Sequence, residues 1–374
     1  MNSIYTAMSE HGYFDGISGV GFLTGLYGDE FNNYSPFDFH VSIYSNNISS
    51  ALTNVTGRWS DIYNQLYSVN SAIEGLTTSK KLNYGHQWLG EAYFLRGLLY
   101  FYLTNLYGNV PLVLSTDYQR NNQLARSPQD EVYKQIISDL QQARSLLTTE
   151  YKDDNGLVVT NRGRPNRSSA IALLARANLY NKDWSNAVAM ADSVIMNADY
   201  QLVDPSETFL VNSKENIWGI VPFQTSSYLV MDASYYFIPN GETPQTAHKL
   251  VALDESLVNA FEANDLRFVN WVGVDSVPAV AGVPASVYFF AYKYRATGSY
   301  TEPRETVVML RLAEQYLIRA EARVHSGDLQ GTVADLNIIR ARAGLQPTTA
   351  TTQGDLLAAV EKERRVEFFT EDGH

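Results

Sequence analysis

Aromatic side chains outside the predicted helices are the residues of this chain best suited to binding chemistry. Sugar rings present apolar C–H faces that lie flat on aromatic side chains, while neighbouring polar groups hold the hydroxyls. With 25 Tyr, 16 Phe and 5 Trp, the chain has many such faces. The candidate ligand-binding residues, which combine aromatic rings with adjacent polar groups, are Tyr34, Phe37, Asp38, Tyr44, Tyr235, Tyr236, Asn240, Tyr292 and Lys293.

A packing role is the alternative for some of these rings. Tyr288, Phe290, Tyr292 and Tyr294 alternate along one predicted strand, so they share one face of it. Such a face packs on a protein interior as readily as it binds a ligand. The sequence leaves both roles open.

Patterns for metals and cofactors are missing from the sequence. The chain has no Cys, which excludes thiolate sites, and its 6 His are never three or four residues apart. The glycine-rich stretch 16–21 has neither the spacing of a dinucleotide loop nor the Lys of a phosphate loop. Asp153-Asp154-Asn155-Gly156 is an ordinary turn sequence, with a calcium site as its alternative. We therefore predict no cofactor and no metal.

Catalytic patterns are missing as well. Hydrolysis of a glycosidic bond requires two carboxylates that face each other across a cleft. The acidic residues here lie mostly at solvent-exposed helix positions or in the motifs described below, and no Gly-x-Ser-x-Gly elbow occurs. The sequence predicts a protein that is not an enzyme.

Length and net charge narrow the possible folds and partners of the protein further. The 374 residues exceed the roughly 250–300 at which a single core stops growing, so the fold should be split or elongated. The net charge of −12, without any basic stripe, disfavours nucleic acid and anionic lipid as partners. No apolar run of membrane-spanning length occurs, and the first residues lack the features of a signal peptide.

Two long helices are predicted to carry the scaffold. In the segment 90–112, apolar residues recur at intervals of three and four, and additional Tyr and Phe widen the apolar surface. Gly108 and Pro111 then end that helix. A second helix is predicted over 127–147, with Ser127 as its N-cap and a Pro in its first turn. Both helices need neighbours to bury their apolar faces.

The region 200–306 differs in composition from the predicted helical segments. Several Pro residues rule out long helices there except around 253–263, while 268–274 and 286–295 are typical of a strand hairpin. A second irregular stretch, 12–50, is rich in Gly, Asn, Phe and Tyr. Irregular aromatic segments on a rigid scaffold are where binding usually resides.

The aromatic helix resembles the signature of the SusD/RagB family of outer-membrane nutrient-binding lipoproteins. The residues that fit this signature are Gly90, Glu91, Ala92, Phe94, Leu95, Arg96, Tyr107, Gly108, Val110, Pro111 and Leu112. Segments that resemble other parts of the family pattern are 59–73, 172–187, 310–345 and 363–374. The resemblance covers nearly the whole chain.

The resemblance implies a mostly α-helical, SusD-like fold with a right-handed scaffold of tetratricopeptide-type hairpins. Two weak repeats of this type lie near 174–187 and 316–339. We expect one domain, trimmed at both ends, with its scaffold at 51–199 and 307–374. The ligand-facing subdomain would then comprise the loops and β-hairpin of 200–306 together with the 12–50 region.

The resemblance also implies a function. By resemblance the protein would be a lipid-anchored subunit on the outer face of the bacterial outer membrane that passes an oligosaccharide to a SusC-like, TonB-dependent porin. The net charge of −12 favours a neutral oligosaccharide. In this family the ligand-facing residues vary with the substrate, so the resemblance assigns none of them. It implies instead that Arg96, Arg340 and Arg365 are structural ion-pair or capping residues.

Two other functions remain open at this point. A peptide receptor of the RagB branch would use the same scaffold and share every feature above. An intracellular tetratricopeptide adaptor is a different class, and it would have its native start near Met1.

Overall fold

A computed structural model gives the fold and describes residues 1–371 apart from 11–13, 15, 80–83, 223–229, 280, 281, 283, 297 and 299. The family-like residues Gly373 and His374 therefore lie outside the described residues. The fold is mostly helical, as predicted. Its α-helices are α1 (Asn2–Glu10), α2 (Val20–Tyr27), α3 (Asp38–Tyr44), α4 (Thr53–Thr78), α5 (Gly85–Tyr107), α6 (Tyr118–Asn121), α7 (Gln129–Leu146), α8 (Arg167–Tyr180), α9 (Trp184–Ile195), α10 (Met231–Tyr236), α11 (Glu255–Val258), α12 (Leu266–Trp271), α13 (Leu312–His325), α14 (Leu329–Arg342) and α15 (Gln353–Phe368).

The aromatic helix α5 is the centre of the scaffold, packed between α4 and α7. Gly90 and Gly97 allow α7 to approach closely, because a Cβ at either position would meet Leu147 or Leu140 at 2.9–3.0 Å. The helix ends at Tyr107, where Gly108 takes a φ of 71° and donates its N–H to Thr104 O. The prediction of a buried helix stopped by Gly108 is confirmed.

The predicted Ser127 cap is wrong. Helix α7 starts two residues later, with Pro128 at its N-cap and no side-chain capping bond. The Ser127 N–H is instead donated to Val110 O, in an isolated bridge with the segment that leaves α5. This long-range backbone bond fixes Ser127 in extended geometry, so the helix cannot begin there.

Two helical hairpins extend the scaffold, as the tetratricopeptide-type pattern predicted. Helices α8 and α9 form one hairpin, α13 and α14 form the other, and α9 packs on α13. Asp183 and Asp328 cap the second helix of each hairpin by accepting a backbone N–H three residues on. Arg176 and Glu314, both fully buried, pair at 2.5 Å and connect the two hairpins.

Three antiparallel strand pairs complete the described fold. The strands are β1 (Phe31–Asn33), β2 (Asn216–Ile220), β3 (Val251–Leu253), β4 (Val272–Val277), β5 (Ser286–Ala291) and β6 (Val307–Arg311). They pair as β1 with β3, β2 with β6 and β4 with β5.

Two predictions for the region 200–306 need correction. The expected helix over 253–263 is reduced to α11, because residues 251–253 pair with β1 and form β3. The expected strand from residue 268 begins only at Val272, because Asp265 accepts the Arg267 N–H and starts the short helix α12. The hairpin of β4 and β5 is present as predicted, but its second strand ends at Ala291 rather than at residue 295.

A buried network of charged side chains ties region 200–306 to the C-terminal helices. Its members, which we call the charge network, are Glu215, Asp265, Arg267, Lys293, Arg311, Arg340, Arg342, Glu363, Glu367 and Glu371. The single side chain of Arg311 contacts three carboxylates, those of Glu215 at 2.9 Å, Glu367 at 2.5 Å and Glu371 at 2.7 Å. Because each buried charge has a partner of opposite sign, the network holds the subdomain on the scaffold.

The structure tests the roles expected for three Arg residues. Arg96 is buried and pairs with Asp139 at 2.7 Å, and Arg340 pairs with Glu363 at 2.6 Å, so both are structural as predicted. Arg365 differs, because it is half-exposed and donates a hydrogen bond to Ser256 Oγ at 2.8 Å.

Candidate ligand-binding site

Four half-buried aromatic rings form a surface on the irregular subdomain. We call Tyr34, Phe237, Tyr288 and Tyr292 the aromatic platform. They pack around a small apolar cluster of Ile238, Ala252 and Phe290, which is separate from the main core. Their rings are therefore supported from below while remaining partly accessible from outside.

Ring contacts hold the aromatic platform rigid. The Tyr34 ring meets the edge of Tyr288 at 6.2 Å between centroids, and Phe237 lies 6.2 Å from Tyr292 at an angle of 34°. Phe290 supports both Phe237 and Tyr292 through edge contacts at 5.5 and 5.9 Å. Tilted and edge-on contacts of this kind are favourable for aromatic pairs. A ligand would meet preformed rings and would not need to order them.

Strand pairing positions these rings from distant parts of the chain. Tyr34 follows β1, and its N–H is donated to Leu250 O just before β3. Tyr288 lies on β5 opposite Asp275 of β4. The Tyr292 N–H is donated to Trp271 O, which fixes the end of the hairpin beside Phe237. Burial raises the pKa of Tyr34, so its hydroxyl stays protonated at neutral pH.

Polar groups surround the aromatic platform. Asn240 is exposed, and the neighbouring Gly241 N–H is donated to the Asp275 carboxylate at 3.0 Å, which places this turn next to Tyr288. Lys249 adjoins Leu250 and donates a hydrogen bond to Ser234 O. Burial lowers the pKa of Lys249, while Glu242 opposes that shift. Asn240 and Lys249 thus supply an amide and an ammonium group at the rim for hydroxyls, whereas the Asp275 carboxylate is buried.

The remaining sequence candidates from the 12–50 region lie on and next to α3. Phe37 is 52% exposed and rests its edge on the buried His40 ring at 5.7 Å. Asp38 is exposed in the first turn of α3, and Tyr44 ends that helix near enough to Tyr34 to influence its pKa. Tyr235 is half-buried on α10. Ligand contact by these four residues stays a prediction.

Tyr236 does not belong to the accessible candidates. Only 3% of it is exposed, and its ring stacks on Phe22 at 5.9 Å and tilts against Phe31 at 5.6 Å. It is therefore a core residue that joins α10 to α2 and β1. Sequence reasoning selected it as part of a run of three aromatics, from which only the fold could separate the inward-facing member.

Lys293 is also placed in the interior, contrary to its expected position at a ligand. Its Nζ donates to Glu371 Oε1 at 2.6 Å and to Glu367 O at 2.8 Å. The rings of Trp271 and Phe369 lie 4.9 and 4.2 Å from the ammonium. It belongs to the charge network because the chain turns inward directly after Tyr292.

Raising the pH should stabilise the protein relative to a Lys293→Met variant. Burial lowers the pKa of Lys293 from 10.5 to about 8. Between these values the unfolded chain binds the proton and the folded protein does not. The Lys293 contribution to the free energy of unfolding therefore rises with pH, by at most about 1.4 kcal/mol per unit. Denaturant unfolding of both proteins across this interval measures the difference, and a constant difference would contradict the assignment.

Phe237 and Tyr288 lie on the aromatic platform beside the sequence candidates Tyr34 and Tyr292. Phe237 belongs to the run of three aromatics at 235–237 that sequence reasoning selected, whereas Tyr288 is there only one of four alternating aromatics. In the structure that alternation ends with β5, so Tyr288 and Tyr292 stay near the surface while Tyr294 packs on Phe209 in the core. The alternation indicated which residues share a strand face, but it did not show where the strand ends.

The described residues contain neither a metal-binding cluster nor a membrane-spanning helix. No group of three His, Asp or Glu side chains there is arranged to hold a metal ion. The Asp153 carboxylate accepts the backbone N–H groups of Asn155 and Leu157, and Gly156 takes a φ of 75°, so this sequence forms a turn. Within the same described residues, none of the helices is both long and apolar enough to span a bilayer.

The aromatic platform and its polar neighbours lie on a mostly helical fold, which matches known protein families. The sequence model of SusD-like proteins, described as "Starch-binding associating with outer membrane", matches residues 27–179, and that of the SusD family matches residues 281–374. The chain belongs to the SusD family. The recognition made from sequence motifs is confirmed.

Relatives and solved structures agree with this membership. SusD-like protein P2 of Formosa agariphila is 30% identical over 148 residues, which are 38% of this chain and 27% of that protein. The matches to three SusD-like proteins of this bacterium span only 27–40% of their lengths. A SusD superfamily structure from Bacteroides vulgatus superposes with a TM-score of 0.83 at 21% identity, covering 99% of this chain and 84% of that one. Surface glycan-binding protein A of Bacteroides fluxus gives 0.77 at 22%, covering 99% and 86%.

Proposed function

We propose that this protein binds a neutral oligosaccharide or polysaccharide at the cell surface and passes it to a SusC-like, TonB-dependent outer-membrane transporter. It performs no bond chemistry, and it is attached to the outer face of the outer membrane by an N-terminal lipid. The aromatic platform, with its polar rim, is the observation that carries the proposal. Family membership supports the cellular setting, since the matching family description names starch binding and the outer membrane.

The physical fit favours an uncharged ligand. The net charge of −12 disfavours polyanions, whereas neutral sugars incur no such penalty. The platform offers Tyr34, Tyr288 and Tyr292 as flat faces for C–H groups, and the rim offers donors and acceptors for hydroxyls. One solved structure with this fold is named as a surface glycan-binding protein, which supports the same ligand class here.

A binding screen tests the ligand class. The protein is run in native gels containing starch, xylan, mixed-linkage glucan or galactomannan, and in parallel against a pool of peptides. Retardation in at least one polysaccharide gel supports the proposal. Binding to peptides without any retardation by polysaccharide would replace it with a peptide receptor on the same scaffold.

Tyr288→Ala should weaken glycan binding about tenfold, because loss of one ring from a platform of this kind costs on the order of 1–2 kcal/mol. Tyr288 is half-buried over a small cluster, so the melting temperature should fall only modestly. Isothermal titration and thermal unfolding measure the two effects. Tyr118→Ala is the matched control, since Tyr118 is 68% exposed on α6 and outside the platform. Equal losses of affinity in both variants would contradict a role for the platform.

A further inference from the structure

A groove on the scaffold side, over the first turns of α1, is separate from the aromatic platform. One chamber of about 440 Å³ lies between α1, the turn around residues 152–164 and the end of β2. A second chamber of about 630 Å³ lies between α1, the C-terminal part of α4 and Trp88. Asn2, Asp154 and Arg164 line both chambers, so the two adjoin, and we call them together the α1 groove.

A fixed guanidinium marks the middle of the α1 groove. Arg164 pairs with Glu91 at 2.7 Å, contacts the Asn2 side chain and lies 4.9 Å above the Tyr5 ring. The Glu91 side chain is fully buried, and it also accepts hydrogen bonds from Tyr5 at 3.0 Å and Gln87 at 3.3 Å. The buried carboxylate therefore holds both Arg164 and Tyr5 in place at the wall of the groove.

The first chamber is lined by both apolar and polar side chains. Met8, Val159 and Ile220 are the apolar ones, together with the Tyr5 ring. The polar ones are Lys152, Asp153, Asp154 and Asn161, and the Asn2 amide donates to Asp154 Oδ2 at 2.8 Å. The lining thus supplies an aromatic ring and hydrogen-bonding groups within one cavity.

The second chamber is open at its base. Ser71, Ala72 and Gly75 present small residues along α4, and no described atom outside the helix itself lies within 4 Å of a Cβ built at Gly75. The half-buried Trp88 ring forms the side wall and contacts the Tyr84 ring at 6.2 Å. An indole ring and small residues in the lining of one cavity leave room for a flat ring.

The charges of the α1 groove indicate which class of ligand it would bind. Arg164 is neutralised by Glu91, and the remaining charged groups of the lining are Lys152, Asp153 and Asp154. With acidic groups in excess, the lining does not attract a polyanion. One aromatic ring in each chamber, Tyr5 and Trp88, together with mixed donors and acceptors, suits the apolar faces and hydroxyls of a pyranose chain.

We propose that the α1 groove is a second saccharide-binding site, which takes a short stretch of a neutral glycan independently of the aromatic platform. The ligand class rests on the proposed function, whereas the position of the site does not. Two sites on one chain increase the retention of a long polysaccharide, because the second contact forms at high effective concentration.

Filling the second chamber tests the inference. Gly75→Gln places a side chain in the open space of the groove, and it replaces a helical Gly with a better helix former, so the fold should not be weakened. Gly57→Gln is the matched control, because Gly57 lies on the same helix, outside the groove, and a Cβ there also meets no described atom within 4 Å. The ligands are maltohexaose, cellohexaose, xylohexaose and mannohexaose, used separately in isothermal titration.

The expected result is two binding events in the parent protein for at least one of these sugars. Gly75→Gln should weaken binding in the α1 groove about tenfold or abolish it, and Tyr288→Ala should weaken binding at the aromatic platform. Gly57→Gln should change neither binding event. Any change in tryptophan fluorescence that accompanies saccharide binding in the α1 groove should also be lost in Trp88→Phe. A single event that Tyr288→Ala abolishes and Gly75→Gln leaves unchanged overturns the second site but not the proposed function. Absence of any saccharide binding overturns both.

Discussion

Replacing Glu367 by Gln should lower the free energy of unfolding by about 3–5 kcal/mol, the largest loss expected from a single isosteric change in this protein. The Glu367 side chain is fully buried in the charge network. It contacts Arg311 at 2.5 Å and Arg267 at 3.1 Å, and it also pairs with Arg342. Gln keeps the shape and removes the charge, so three buried guanidinium groups lose part of their compensation.

Urea unfolding of the parent and of Glu367→Gln measures this loss. Lys134→Ala is the control for an ion pair that should not matter, because Lys134 and Asp130 are 75% and 66% exposed at a distance of 3.2 Å. Such exposed pairs are screened by solvent and contribute little to the free energy of unfolding. Similar losses in the two variants would mean that the charge network does not hold the subdomain to the scaffold.

Lowering the pH should weaken the stabilisation that Glu367 provides in the charge network. The guanidinium groups of Arg342, Arg311 and Arg267 hold the pKa of Glu367 well below its usual range, although burial alone would raise it. A carboxyl with a depressed pKa stabilises the folded state above its unfolded pKa of about 4.3, and this contribution is lost as the pH falls towards the folded value. The stability of Glu367→Gln should therefore depend less on pH below that point than the stability of the parent.

The scaffold could be predicted from sequence because its signals are local. The periodicity of α5 and the Gly108 stop depend on residues within a few turns of one another. The errors arose where a distant partner decided the outcome. Residues 251–253 became a strand by pairing with β1, more than two hundred residues earlier in the chain, and Ser127 lost its cap to a bridge with Val110.

The candidate site was predictable only in outline. Aromatic side chains in the two irregular regions identified Tyr34 and Tyr292, which the fold brings onto one platform. Composition could not show which ring of the run 235–237 faces inward, so the buried Tyr236 was included among the candidates. Lys293 was misplaced for a related reason, since its partners Glu367 and Glu371 lie more than seventy residues away.

The α1 groove could not be inferred from sequence. Its lining joins α1 to the segment 152–164 and to α4, and none of these segments carries a motif that indicates a saccharide. Glu91 and Gly90 belong to the family-like signature, yet their structural roles differ. Gly90 admits Leu147 of the neighbouring helix, whereas Glu91 fixes Arg164 at the groove.

Tyr236→Ala should be the second strongly destabilising substitution, with a loss of about 3–5 kcal/mol in the free energy of unfolding. Removing a buried aromatic ring forfeits its burial and leaves a cavity. The ring contacts both Phe22 and Phe31, which are themselves buried, so the surrounding core cannot easily collapse into the space.

Its neighbour on α10 provides the control that separates folding from binding. Tyr235 is half-buried, so Tyr235→Ala should lower the unfolding free energy much less than Tyr236→Ala. If Tyr235 contacts ligand as predicted, its variant should lose glycan affinity while retaining most of its stability, and Tyr236→Ala should lose stability first. Calorimetric unfolding together with titration against a retained glycan distinguishes the two. A stable Tyr236→Ala protein with weakened binding would instead return Tyr236 to the ligand site and show that α10 turns its ring outward.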